Sequence, residues 1–173
     1  MKTHIGHFVI PALLLGAIPL AGQSPAKVDP SWMTVRAADS TVEFRAVAGL
    51  TPANSGMNFD GAGTGGLTLT VPVGWHVILH FANNDENMPH SLIVTKFENP
   101  VPVTPSVAAF AGAASKDASQ GVGVGSKQDL RFKANQAGSY LIICGVPGHG
   151  AAGMWIKLTV SASAPKPAVA SGP

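Results

Sequence analysis

The sequence predicts an all-β sandwich, and three observations carry that expectation. Only 12% of the 173 residues are charged while 46% are hydrophobic, against roughly 25% charged in a typical soluble protein. Gly (20) and Pro (14) are abundant, which works against long helices. Short runs alternating apolar and polar residues recur along the chain, separated by turns containing Gly, Pro and Asn.

Residues 1–26 read as a targeting segment. Met1-Lys2 opens a short basic region, and Phe8 to Leu20 is an uncharged apolar run. It is shorter than the roughly 20 residues that span a bilayer and fits a secretory signal. Pro11, Gly16 and Pro19 interrupt it, which disfavours a buried core helix. Leu20-Ala21-Gly22 and Ser24-Pro25-Ala26 both offer small residues for cleavage, and a retained segment would instead anchor the protein to the membrane. In either case export is expected, to the periplasm or the outer face of the cytoplasmic membrane.

The folded domain is expected over residues 27–161. Asp29-Pro30-Ser31-Trp32 has the form of an N-cap followed by proline at the first helical position, which predicts a short helix through Ala38. Thr41 to Val47 alternates with period two, as a half-buried strand does. Leu67 to Val71 repeats the pattern, and Trp75 to Phe81 follows the Pro72-Val73-Gly74 turn. Further strands are expected at His90 to Thr95, Gln128 to Ala134, Ser139 to Cys144 and Met154 to Ser161. Between Phe97 and Lys127 the chain is rich in Pro, Ala, Gly and Ser, which predicts a long inserted loop with a helical turn at Val107 to Ala113. Residues 162–173 are expected to form a disordered Ala/Pro/Ser tail.

Composition excludes several classes. A net charge of +2 with scattered lysines does not fit nucleic-acid binding. One cysteine rules out an internal disulfide framework, a two-cysteine metal cluster and a paired-CxxC zinc finger.

The chemistry lies in Cys144-Gly145-Val146-Pro147-Gly148-His149-Gly150-Ala151-Ala152-Gly153-Met154. This is C-x4-H-x4-M in a Gly-rich loop that can fold back so that thiol, imidazole and thioether converge. A second imidazole, His90, stands in Asn87-Met88-Pro89-His90-Ser91. Two imidazoles, a thiolate and a weak axial thioether form the ligand set of a blue-copper electron-transfer site. Singly, Cys144 reads as a small hydrophobe, His149 as a loop histidine and Met154 as core. Together, in an exported protein, they read as ligands, because a free thiol outside the cell would oxidise. His76 and His80 share one strand face without a carboxylate or cysteine near them in sequence, and read as surface or partly buried polar residues. Gly61 to Gly66 precedes a strand and lacks a suitably placed lysine, so it is not a phosphate loop.

These residues resemble the sulfocyanin family of the cupredoxin superfamily. Met57-Asn58-Phe59-Asp60-Gly61, Leu67 to Trp75, Met88-Pro89-His90-Ser91 and Gly153-Met154-Trp155 carry the resemblance with the cysteine loop, over roughly residues 32–160. The resemblance implies a cupredoxin-like Greek-key β-sandwich with one type 1 copper held by His90, Cys144, His149 and Met154. It implies a one-electron carrier cycling between Cu(I) and Cu(II) in an extracytoplasmic respiratory chain, with cytochromes or a terminal oxidase as redox partners. No enzymatic turnover is expected, and the protein is expected to be a monomer.

From the residues themselves, Ser91 is placed to hydrogen-bond across to the ligand loop. No charge occurs from Cys144 through Ile156, so an uncharged shell and a high reduction potential are expected. Only nine carboxylate side chains occur in the chain, so stability should be lost little as pH falls. The competing reading is a copper-binding or copper-delivery protein. A multicopper enzyme would need a second centre and more than one such domain. A Cys-His hydrolase would leave Met154 without a role.

Overall fold

A computed structural model describes residues 28–172. The targeting segment at 1–26 lies outside the described residues. Two sheets enclose the core: one ordered β1 (Met33–Arg36), β2 (Thr41–Ala48), β4 (His76–Asn83), β6 (Lys127–Lys133). The other is ordered β5 (Ile93–Lys96), β7 (Gly138–Ile143), β8 (Trp155–Ser161), β3 (Leu67–Pro72), β9 (Ala168–Ser171). The β2–β4 and β3–β8 pairs are parallel and the others antiparallel, so the chain crosses repeatedly between the layers.

Period-two alternation built these strands. In β3, Leu67, Leu69 and Val71 are buried while Thr68 and Thr70 are partly exposed. In β6, Leu130 and Phe132 face the core against exposed Asp129, Arg131 and Lys133. They join Phe44, Phe81, Leu79 and Ile156 in one apolar cluster. Strand β2 is more buried than expected, because β1 and β4 flank it on both sides.

Three expectations are corrected. The N-terminal helix is a single 3-10 turn, Pro30–Trp32, with Asp29 accepting from the Ser31 N–H at 2.8 Å. The chain then becomes β1, because pairing with β2 satisfies its backbone and buries Trp32 beneath the Arg45 guanidinium, 5.5 Å from the ring; a second 3-10 turn follows at Ala37–Asp39. The Val107 to Ala113 segment is not helical. Its backbone is drawn to the β5 edge instead: Ala109 donates to the Val94 carbonyl at 2.7 Å, and Val94 donates to that of Ala113 at 2.8 Å. Phe110 plugs the core against Phe132 and Tyr140, with centroids 5.2 and 4.8 Å away. The inserted loop thus covers an edge strand that would otherwise be open to pairing. The segment expected to be a disordered tail folds back as β9, with Leu67–Thr70 paired to Ser171–Ala168. Its Ala/Val alternation needs only one available strand edge, which low-complexity composition does not reveal.

The outer face of the four-stranded sheet holds an ion chain. Arg36 pairs with Glu43; His80 Nε2 lies 3.0 Å from Glu43 and Nδ1 lies 2.8 Å from Asp129, which also pairs with Arg131 at 2.6 Å. Carboxylates from β2 and β6 therefore do flank His80, contrary to the sequence reading, and they occupy both of its ring nitrogens. Burial alone would lower the His80 pKa, but the two carboxylates outweigh it and raise it above 6.5. His76 is exposed.

Candidate metal centre

Strand β7 ends at Ile143 and β8 begins at Trp155, so Cys144 and Met154 face each other across the mouth of the connecting loop. The Cys144 N–H donates to the Met154 carbonyl at 3.1 Å, and the Met154 N–H to that of His149 at 2.9 Å. Gly148 and Gly153 carry φ of 86° and 100°, left-handed values that allow the loop to double back. Outside supports pin it: the Thr64 N–H reaches the Gly153 carbonyl at 2.7 Å, and Asn54 Nδ2 reaches that of Ala152 at 2.9 Å.

His90 comes from the segment between β4 and β5, held by reciprocal backbone bonds with Val122 of the inserted loop at 3.2 and 2.8 Å. The tertiary fold brings the two histidines and the cysteine together. Cys144 Sγ lies 3.9 Å from His90 Nδ1 and 3.6 Å from His149 Nδ1, and the two Nδ1 atoms are 3.2 Å apart. A metal in the plane of three such donors, bonded at about 2.0 Å to nitrogen and 2.3 Å to sulfur, holds them about 3.5–3.7 Å apart. The triangle fits such an ion. His90, Cys144 and Met154 are fully buried, whereas His149 is partly exposed.

Ser91 ties the two ligand segments together as expected. Its Oγ accepts from the Gly145 N–H at 2.8 Å and donates to the Ala118 carbonyl at 2.6 Å, while its N–H points to Cys144 Sγ at 3.4 Å. Burial raises the Cys144 thiol pKa above 9.0, outweighing the N–H groups of Ser91 and Val146 and the Ser91 hydroxyl. Burial, with the neighbouring His90 ring, lowers that of His149 below 6.5 against the opposing pull of Asp85.

The uncharged shell holds for the loop and fails behind His90. Asp85, buried, places Oδ2 3.1 Å from His90 Nε2. Burial pushes its carboxyl up, but the Asn87 N–H, the His90 ring and the Met88 N–H outweigh it and bring it below 3.8. Sequence reasoning passed over Asp85 and also Asn54. The available signal for Asp85 was an acid beside Asn83 and Asn84, five residues before the histidine, in a charge-poor chain.

Two facing sheets with a His–Cys–His triangle at one end define a cupredoxin. The chain belongs to the sulfocyanin family, whose model, Sulfocyanin (SoxE) domain, matches residues 30–170. It is 32% identical over 111 residues to a sulfocyanin of Sulfolobus acidocaldarius, covering 60% of this chain and 55% of that protein. It is 31% identical over 100 residues to a rusticyanin of Acidithiobacillus ferrooxidans, covering 54% and 59%. The chain thus spans little more than half the length of these curated relatives. A rusticyanin crystal structure superposes with a TM-score of 0.58 at 23% identity, covering 79% of this chain and 86% of the other, a likeness of fold.

Proposed function

We propose that the protein is a type 1 copper electron carrier, with His90, Cys144 and His149 as equatorial ligands and Met154 as the axial one. The triangle of two imidazoles and one thiol, with His90 and Cys144 buried and a closing loop that ends in methionine, supports this reading most directly. The soft sulfur donors suit Cu(I) and the imidazoles suit both oxidation states; bound copper would supply a one-electron couple. The chain's contribution is rigidity. Loop bonds, the Ser91 tether and the sheet ends hold the donors before metal arrives, so little rearrangement accompanies a change of charge. The raised thiol pKa means that metal binding displaces a proton from Cys144.

The test is copper added to the metal-free protein. An intense visible thiolate-to-copper band supports the carrier, whereas tight colourless Cu(I) binding without that band supports copper delivery. Met154→Leu is expected to keep copper and raise the reduction potential, and Met154→Gln to lower it, as voltammetry would show. No change in either variant would make Met154 plain core.

Electrons are proposed to pass through the partly exposed His149 edge. Pro147, Ala151 and Ala152 are exposed around it. The inserted loop adds Val103, 60% exposed, whose carbonyl accepts from the Gly148 N–H at 2.8 Å. A small uncharged patch suits a transient redox partner such as a cytochrome or an oxidase subunit. Ala152→Asp is expected to slow transfer to that partner in stopped-flow measurements while leaving the absorption spectrum unchanged; wild-type rates would move the docking face elsewhere. Export through the 1–26 segment, with or without retention as an anchor, completes the proposal and places the carrier on the extracytoplasmic side. A domain beginning at residue 27 is proposed with it, and β9 carries the fold past 161 to residue 171.

A further inference from the structure

We infer that Asp85 is a positioning residue for this centre: its carboxylate holds His90 in the tautomer with the proton on Nε2, leaving Nδ1 for the metal, and its charge favours the oxidised ion. The inference deepens the copper reading and rests on it.

The geometry divides the carboxylate between two tasks. Oδ1 accepts the N–H groups of Asn87 at 2.8 Å and Met88 at 3.2 Å, closing the turn that leads to His90. Oδ2 faces His90 Nε2 at 3.1 Å, while Nδ1 of the same ring is the atom turned to Cys144 and His149. An oxygen that only accepts requires a proton on Nε2, and a neutral imidazole carries one proton. Nδ1 therefore keeps its lone pair.

The carboxylate has little freedom to leave. Asn83 Oδ1 accepts the Asp85 N–H at 2.9 Å, and Asn83 Nδ2 donates to the carbonyls of Met88 at 3.0 Å and Val122 at 2.7 Å. Val122 is the residue that brackets the His90 backbone, so one asparagine braces both partners. On the other side, a Cβ at Gly49 would lie 2.6 Å from Asp85 Cβ, and one at Gly56 would overlap Asp85 Oδ2. These two glycines make the space in which the carboxylate lies. A carboxylate–histidine–metal relay of this kind orients the ring and strengthens it as a donor. A negative charge beyond the ring also stabilises the more highly charged ion, opposing the effect of the apolar loop.

The alternative is that Asp85 only closes the 85–88 turn, and Asp85→Asn separates the two roles. Its Oδ1 can keep both turn bonds, but Nδ2 would replace Oδ2 and set one donor against another at His90. Nitrogen-15 NMR of the metal-free protein at neutral pH reads the tautomer without copper. The wild type is expected to carry the His90 proton on Nε2, and Asp85→Asn to shift it toward Nδ1. With copper, the variant is expected to lose roughly tenfold to a hundredfold in Cu(II) affinity. Its Cu(II)/Cu(I) ratio at fixed ambient potential should fall roughly tenfold to a hundredfold, as for a unit charge lost just beyond the ring at an effective dielectric of about 20. A wild-type His90 protonated on Nδ1 overturns the inference without any variant. So does an Asp85→Asn protein whose tautomer and potential match the wild type. If the wild type itself shows no thiolate-to-copper band, it is the copper reading that fails.

Discussion

Cys144→Ser is expected to abolish the visible band of the copper-loaded protein and most of its redox activity. Cys144 Sγ is the sulfur corner of the donor triangle, 3.9 and 3.6 Å from the two Nδ1 atoms, and the chain has no second cysteine to take its place. A serine hydroxyl fits the space, but it is a poor ligand in its protonated form and has no sulfur orbital to produce the charge-transfer colour. The buried apolar surroundings that raise the Cys144 pKa would disfavour an alkoxide still more strongly. Folding of the metal-free variant should change little, since the thiol accepts only weak bonds, from Ser91 and the Val146 N–H. Absorption spectroscopy with copper checks the outcome, and a variant that keeps the band would refute the site.

Asp60→Asn is expected to remove most of the pH dependence of stability between pH 4 and 7. The Asp60 side chain is fully buried and lies 3.0 Å from Arg45 Nε. Burial raises its pKa from 3.8 to about 7, although Arg45 and the Val47 N–H pull it down. Between those values the folded protein keeps a proton that the unfolded chain has released. Stability then falls as pH rises, by about 1.4 kcal/mol per pH unit or a few kcal/mol across the window. His80 acts in the same direction, though weakly because it is exposed. Its pKa is raised in the fold, so its contribution is complete below 6.5 and is lost as pH rises through the folded value. Asp129 acts oppositely: the His80 hydrogen bond, against some burial, lowers its pKa below 3.8. Its contribution is present above 3.8 and lost as pH falls through the folded value. The metal-free wild type should therefore be most stable near pH 4, where Asp60 keeps its proton and Asp129 is still ionised. Denaturant titrations across pH should show the wild type weakening toward pH 8 and Asp60→Asn nearly flat. Parallel slopes would mean that Asp60 is ionised throughout.

This acid preference bears on what composition could show. A low carboxylate count predicted tolerance of acid, because few paired carboxylates remain to be protonated. The structure adds that one of them, Asp60, sits where a proton is favoured. Sequence shows the count; only the fold assigns the environment.

The same division runs through the rest of the molecule. Local patterning determined the central strands: alternation in Leu67–Pro72, His76–Asn83 and Trp155–Ser161 allows one face inward whatever the partner. It also determined three of the proposed donors, because Cys144, His149 and Met154 lie on one short loop whose glycines permit it to close. What local signals could not determine depends on partners distant in sequence. The helix expected to continue past Trp32 gave way to β1 because an edge of β2 was free, and the Ala/Pro/Ser tail became β9 because an edge of β3 was free. His80 gained its carboxylates from strands far along the chain. His90 gained its buried acid from a turn braced by the inserted loop through Asn83 and Val122. Residue type and spacing select which atoms can bind a metal. Burial and cross-strand contact, which exist only once the sheets have packed, decide their protonation, their orientation and the charge beside them.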